Sequence, residues 1–266
     1  GSGIRMCMWA GGTMEGGPRA GQAAGINGVP GFAFGGAWPC FGPEGKRVYN
    51  ESMYKFGSNG YLDTFPDEQL LVNVTDANWE TYLSYQGYGH ETMDRSSDYM
   101  VEEVRENMAN YKTGKDGFDV RAFSRFGKEY STVYAADTLE ELAEKMGVPA
   151  ETFKATVARY NELVDKGQDV DFGKQAARLT YVKDAPFYAI CRQPRLLCAL
   201  GGLVVNDRME VLDEAQAPIP HLYACGNNSG EWFGGLEHPM VIPGMSLGRA
   251  VVTGHLAALS ALGKDY

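Results

Sequence analysis

Between residues 199 and 258 the chain runs ALGGLVVN (199–206), a polar turn, IPHLYACGNNSG (219–230), then HPMVIPGMSLGRAVVTGHLAA (238–258). A glycine pair enters a strand, a second strand closes on a glycine-rich turn, and a Pro-Gly step leads into a helix. This order predicts the ligand-binding edge of an α/β sheet, where strands end and helix N-termini point inward. The glycine sites Gly201-Gly202, Gly226 and Gly244 mark places where a backbone can approach a flat ligand closely. A β-bulge at the glycine pair and an ordinary helix start at Pro243-Gly244 are the competing structural readings.

The 266 residues suffice for one large or two ordinary domains with a real core, and 44% hydrophobic with 22% charged residues is a globular balance. A formal charge of −10 argues against nucleic acid or an anionic membrane as partner, while leaving room for a local cationic pocket. Cys7, Cys40, Cys191, Cys198 and Cys225 form no CxxC pair and have no histidine at metal spacing, so no metal is expected. No apolar run reaches the roughly 20 residues of a membrane span. No basic-then-apolar signal pattern opens the chain.

Ile4, Met8 and Trp9 predict one face of a first helix ending at Gly11-Gly12. A second helix is expected at 97–111. The strongest local signal lies at 137–167, where Thr138 and Glu141 form a capping box for a short helix closed by Gly147. Pro149 then opens a second helix with Phe153, Val157, Tyr160, Leu163 and Val164 on one face and Gly167 as its stop. This helical hairpin reads as scaffold. The return to apolar, strand-like sequence after Asp184-Ala185-Pro186 marks a domain boundary.

The chain resembles the C-terminal half of FAD-dependent fumarate reductase, urocanate reductase and 3-ketosteroid dehydrogenase flavoproteins. The matching pieces, in order, are GSGIRMCMWAGG (1–12), GKRVYNE (45–51), the helical hairpin with its tail GQDVDFGK (167–174), APFYAI (185–190), GGLVVN, LYACGN and PGMSLGRAVVTGHLAA. The resemblance implies a mixed α/β and α+β fold: a partial, C-terminal portion of a Rossmann-like FAD domain with an inserted α+β cap that carries the substrate. The expected division is 1–29 and 184–266 for the FAD domain and 30–183 for the cap. The strand–GxGxxG–helix that holds the ADP half of FAD in such proteins is not found here, so the chain is expected to be a fragment. FAD is the implied cofactor. A small unsaturated molecule is the implied substrate, with a possible electron-donor protein or domain as partner.

On that resemblance the flavin-side residues are Gly201, Gly202, Gly226, Asn227, Gly244, Met245, Ser246 and Leu247. Backbone N–H groups at 244–246 would face the ring edge that gains negative charge on reduction. Reduction of an activated double bond also needs a proton donor. Where relatives carry an arginine four residues after Asn-Glu, this chain has Lys55 after Asn50-Glu51, with Tyr54 as a second candidate. His238 is a candidate donor to a substrate carbonyl, and an exposed Lys55 or a structural His238 is the alternative. Arg192 and Arg195 are candidate sources of positive charge or ordinary surface arginines. Leu197-Cys198-Ala199-Leu200 replaces the histidine that relatives place before the glycine pair, so an enone or aromatic enoate is as consistent as a dicarboxylate. Trp79, Tyr82, Tyr85 and Tyr88 suit either a flat apolar ligand or a core. The competing function is a catalytically silent cap or binding module that needs a separate FAD-binding half.

Overall fold

The computed structural model describes residues 1–17, 21–25, 37–53, 71–85, 123–125, 128–130, 133–199, 201–232 and 245–265. In chain order come helix α1 (Ser2–Trp9) and strands β1 (Gly21–Gly25), β2 (Cys40–Phe41) and β3 (Leu71–Thr75). Helix α2 (Trp79–Tyr82) precedes strands β4 (Phe123–Arg125), β5 (Lys128–Tyr130) and β6 (Val133–Ala136). Helices α3 (Leu139–Met146) and α4 (Ala150–Asp165) are followed by strands β7 (Phe187–Ala199), β8 (Glu210–Leu212) and β9 (Pro218–Tyr223), then helix α5 (Met245–Ala261). The chain divides into two compact units, Gly1–Gln22 with Leu196–Tyr266, and Ala23–Arg195. The helix expected at 97–111 lies outside the described residues.

In the larger unit, β7 runs antiparallel between β3 (Thr75 opposite Tyr188) and β6 (Ala136 opposite Phe187), and β2 lies beyond β3. Every residue of β3 is buried. Its alternate residues serve two faces. Val72 and Val74 enter the main core, while Leu71 packs with Cys40 and the Asn73 side chain donates to the Trp38 carbonyl at 3.0 Å.

The α3–α4 hairpin covers the Val72 face. Thr138 caps α3 by accepting the Glu141 N–H at 3.1 Å, and Gly147 ends it in the left-handed region at φ 71°. Phe153, Val157, Tyr160 and Leu163 are buried along α4, and Val164 is only half-buried at the edge of that face. Phe153 meets Phe41 edge-on, with ring centroids 5.0 Å apart. The hairpin predicted as scaffold is the lid of this unit's core.

In the smaller unit β8 and β9 form an antiparallel hairpin. Leu203 bridges antiparallel to Met14 and parallel to Ser229. Leu203, Val211 and Ala224 form the core, against which Ile4 and Cys7 of α1 pack. The expected α1 face is therefore rotated: Met6, Met8 and Trp9 are exposed. The contact is centred between Ile4 and Cys7, and Met8 lies about 100° around the helix from Cys7, at the edge of that face. Helix α5 packs through Thr253 and Ser260, while Leu247, Val251 and Val252 are exposed. Among the described residues no helix is long and apolar enough to cross a membrane, and no group of His, Cys, Asp and Glu is arranged to hold a metal ion.

Candidate functional site

Strand β9 delivers the chain to a single helical turn, Gly226–Asn228, that sits on α5. Gly226 has φ 57°, and a Cβ there would lie 3.4 Å from that of Ala250. Its N–H donates to Thr253 Oγ1 at 2.9 Å, and Thr253 Oγ1 donates on to the Arg249 carbonyl at 2.7 Å. Ser229 Oγ returns a bond to the Gly226 carbonyl at 2.9 Å. The turn is thus fixed from both sides, leaving Asn227 exposed. At the start of α5, Ser246 and Leu247 are exposed and Met245 is half-buried. The first-turn N–H groups of a helix have no intrahelical acceptors and carry its positive dipole end. Gly226, Asn227, Met245, Ser246 and Leu247 therefore all belong to the smaller unit, with the turn packed on α5. Gly244 lies outside the described residues.

The glycine pair has a different physical reason. Gly201 adopts φ 143°, a conformation few other residues reach. A Cβ on Gly202 would stand 2.5 Å from the Ser229 carbonyl carbon and 2.6 Å from Gly230 N. The close neighbour at Gly202 is the protein's own backbone. Glu15 staples these segments: its carboxylate accepts the Gly202 N–H at 2.7 Å and also the Glu231 N–H. Arg249 donates to Ser229 Oγ at 2.9 Å and lies over the Trp232 ring at 4.8 Å.

These residues fit a flat cofactor in part. An exposed amide at Asn227 and a helix N-terminus would suit a ribityl chain and an anionic ring edge. The Gly226 N–H is engaged by Thr253, so it contributes position rather than a free donor.

The larger unit contains a buried charge cluster that sequence reasoning missed. Arg47 donates from Nε and Nη2 to both Glu51 oxygens at 3.0 and 2.7 Å, and from Nη1 and Nη2 to both Asp169 oxygens at 3.2 and 2.8 Å. Lys174 Nζ donates to the Ala37 carbonyl at 2.6 Å and to Tyr160 Oη at 3.1 Å, and lies 3.5 Å from Glu51. The Arg47 guanidinium lies between the rings of Tyr160 and Phe172, at 4.7 and 4.9 Å. Two cations and two anions balance. Burial by itself would raise the carboxylate pKa values; the hydrogen bonds and charge of Arg47 nevertheless hold Asp169 down at about 2. Lys174 and Arg47 together hold Glu51 below its ordinary range against the same burial. The two motifs that form the cluster are visible in the sequence as GKRVYNE and GQDVDFGK, but pairing across 122 positions is not.

The candidate proton donors Tyr54 and Lys55, and His238, lie outside the described residues, as does Tyr88. Arg192 stands on β7 opposite Leu71, and Arg195 lies further along that strand. Trp79 and Tyr82 are buried, whereas Tyr85 is exposed and its ring stacks on Tyr82 at 5.9 Å. Burial, and then the nearby Asp76 charge, push the Tyr82 hydroxyl up to about 12. Core packing accounts for the first two aromatics.

The described elements make a mixed α/β chain with a glycine-rich strand end seated on a helix. Residues 51–239 match the FAD binding domain family, and the chain belongs to it; FAD is the cofactor of that family. The NADH:acrylate oxidoreductase of Vibrio harveyi is 46% identical over 98 residues, covering 37% of this chain and 10% of that protein. The vinyl phenol reductase of Lactiplantibacillus plantarum is 38% identical over 122 residues, covering 46% of this chain and 24% of that protein. In fold, the chain is similar to 3-ketosteroid delta1-dehydrogenase from Sterolibacterium denitrificans, solved with 1,4-androstadiene-3,17-dione. The match has TM-score 0.65 and 22% identity, over 98% of this chain and 46% of that one. The matches thus span less than half the length of each of these three proteins.

Proposed function

We propose that this chain forms the flavin-ring and substrate side of an FAD-dependent oxidoreductase that reduces or introduces a C=C bond conjugated to a carbonyl or carboxylate. The observation that carries the reading is the family match over residues 51–239 together with the Gly226–Asn228 turn seated on α5. In this reading residues 1–29 and 184–266 are the C-terminal portion of a Rossmann-like FAD domain and 30–183 is the inserted cap. The chain lacks a GxGxxG run. We therefore assign to it the ring and ribityl side of the cofactor and not the ADP half.

FAD, when bound, supplies hydride exchange with the substrate carbon. The chain's residues supply orientation and charge. When FAD is bound, the N–H groups of Gly244, Met245, Ser246 and Leu247 would stabilise negative charge at the ring edge, and Asn227 would bond the ribityl or pyrophosphate portion. Gly201 would let the chain pass beside the ring, while Gly202 is required by the close passage of the Ser229–Gly230 backbone. Lys55 would supply the proton to the substrate carbon, with Tyr54 as the second candidate and His238 as a donor to the activating carbonyl. Without the histidine that precedes the glycine pair in relatives, a monocarboxylate, enone or aromatic enoate is the favoured substrate class. A reduced protein or domain supplies electrons.

The test is titration of the purified chain with FAD, followed by turnover of acrylate-type, fumarate and enone substrates with reduced methyl viologen as donor. Saturable binding and turnover that drops by orders of magnitude in Lys55→Met, with FAD still bound, support the reading. Unchanged turnover in that variant removes Lys55 from the mechanism. Absence of FAD uptake favours the second reading, a cap and binding module completed by a separate half.

A further inference from the structure

We propose that residues 169–178 act as a positioning clamp on the turn Asn50–Met53, the turn from which the chain continues to Tyr54 and Lys55. The inference rests on the proton-donor reading given above. Three consecutive residues of that turn are gripped by the same distant segment. The Asn50 amide donates to the Gly173 carbonyl at 2.9 Å and its oxygen accepts the Ser52 N–H at 2.9 Å. Glu51 is fixed in the buried cluster by Arg47, itself bound to Asp169, and by the Cys40 N–H at 2.9 Å. Ser52 is held twice, its Oγ accepting the Gln175 N–H at 3.0 Å and its carbonyl accepting Arg178 Nη1 at 3.1 Å.

The grip continues beyond what stability requires. The buried quartet already anchors Glu51 to the core. The bonds on Asn50 and Ser52 lie at partly exposed positions, where a hydrogen bond contributes modestly to stability, the charged Arg178 donor more than the neutral ones. Their effect is geometric: side chain, amide and carbonyl of the turn are fixed together. Catalytic groups need such a rigid origin, because a misplacement of about 1 Å costs on the order of a hundredfold in rate. Arg178 and Ser52 are therefore positioning residues, acting through the segment they orient.

The experiment uses Arg178→Ala and Ser52→Ala, which spare the buried quartet. In the FAD-loaded protein, kcat should fall about tenfold to a hundredfold with KM and FAD affinity nearly unchanged, and Arg178→Lys should recover most of the loss by restoring a donor. In the flavin-free chain, hydrogen exchange at amides 50–53 should accelerate at least tenfold while exchange in the α3–α4 hairpin stays at parental values and the melting temperature falls by only a few degrees. Adding Arg178→Ala to Lys55→Met should cost no further turnover. Unchanged exchange at 50–53, or a full further loss in the Lys55→Met background, overturns the clamp. Full turnover in Lys55→Met alone overturns the proton-donor reading, and the exchange result then still decides the clamp by itself.

Discussion

Asp169→Asn is isosteric, yet the structure predicts it to be among the most damaging single changes in the larger unit. Each oxygen of Asp169 meets only donors. One accepts Arg47 Nη1 and the N–H groups of Asp171 and Phe172, and the other accepts Arg47 Nη2 and the Lys174 N–H. Either orientation of the asparagine amide points an NH2 at these donors. The variant also leaves two buried cations facing one carboxylate. Removing one partner of a buried pair costs about 3–5 kcal/mol. For a domain of this size each kcal/mol lowers the melting temperature by roughly 2–4 °C, giving a drop of about 6–20 °C. Melting followed by circular dichroism reads this directly. The control is Asp171→Asn in the same loop, whose partly exposed pair with Arg159 at 2.8 Å should leave the midpoint within about 2 °C. If Asp169→Asn melts alongside that control, the buried cluster is not the anchor described here.

Two further predictions concern the pH response of the charge cluster and the glycine pair. Asp169 is held at about 2 and Glu51 below its ordinary range, so their contribution is complete above about pH 5 and is lost as pH falls toward 2. Urea midpoints between about pH 5 and 3 should fall more steeply for the parent than for Asp169→Asn, and parallel slopes would refute the assignment. Gly202→Ala would place a methyl 2.5 Å from the Ser229 carbonyl carbon, an overpacking cost of about 1–3 kcal/mol or more. Its thermal unfolding should be lowered equally with and without FAD; a variant that melts normally and loses only FAD affinity would show that Gly202 faces the cofactor instead.

Local chemistry was legible in the sequence wherever one short segment carries the whole signal. Thr138, Gly147 and Pro149 announce the hairpin because caps and stops act within a single turn, and the Phe153-to-Leu163 spacing names its buried face. The family was legible too, because ordered short motifs survive in register. Tertiary structure alone decided the rest. Which face of α1 packs depends on the position of Leu203 and Val211, so Met8 and Trp9 turned outward while Cys7 turned in. Whether Gly202 serves a ligand or the protein depends on how closely residues 228–230 pass it. The joining of GKRVYNE to GQDVDFGK through Arg47, Glu51, Asp169 and Lys174 depends on burial. A charged residue in a sequence reads as surface. Only a folded core that excludes water makes four of them a single electrostatic unit.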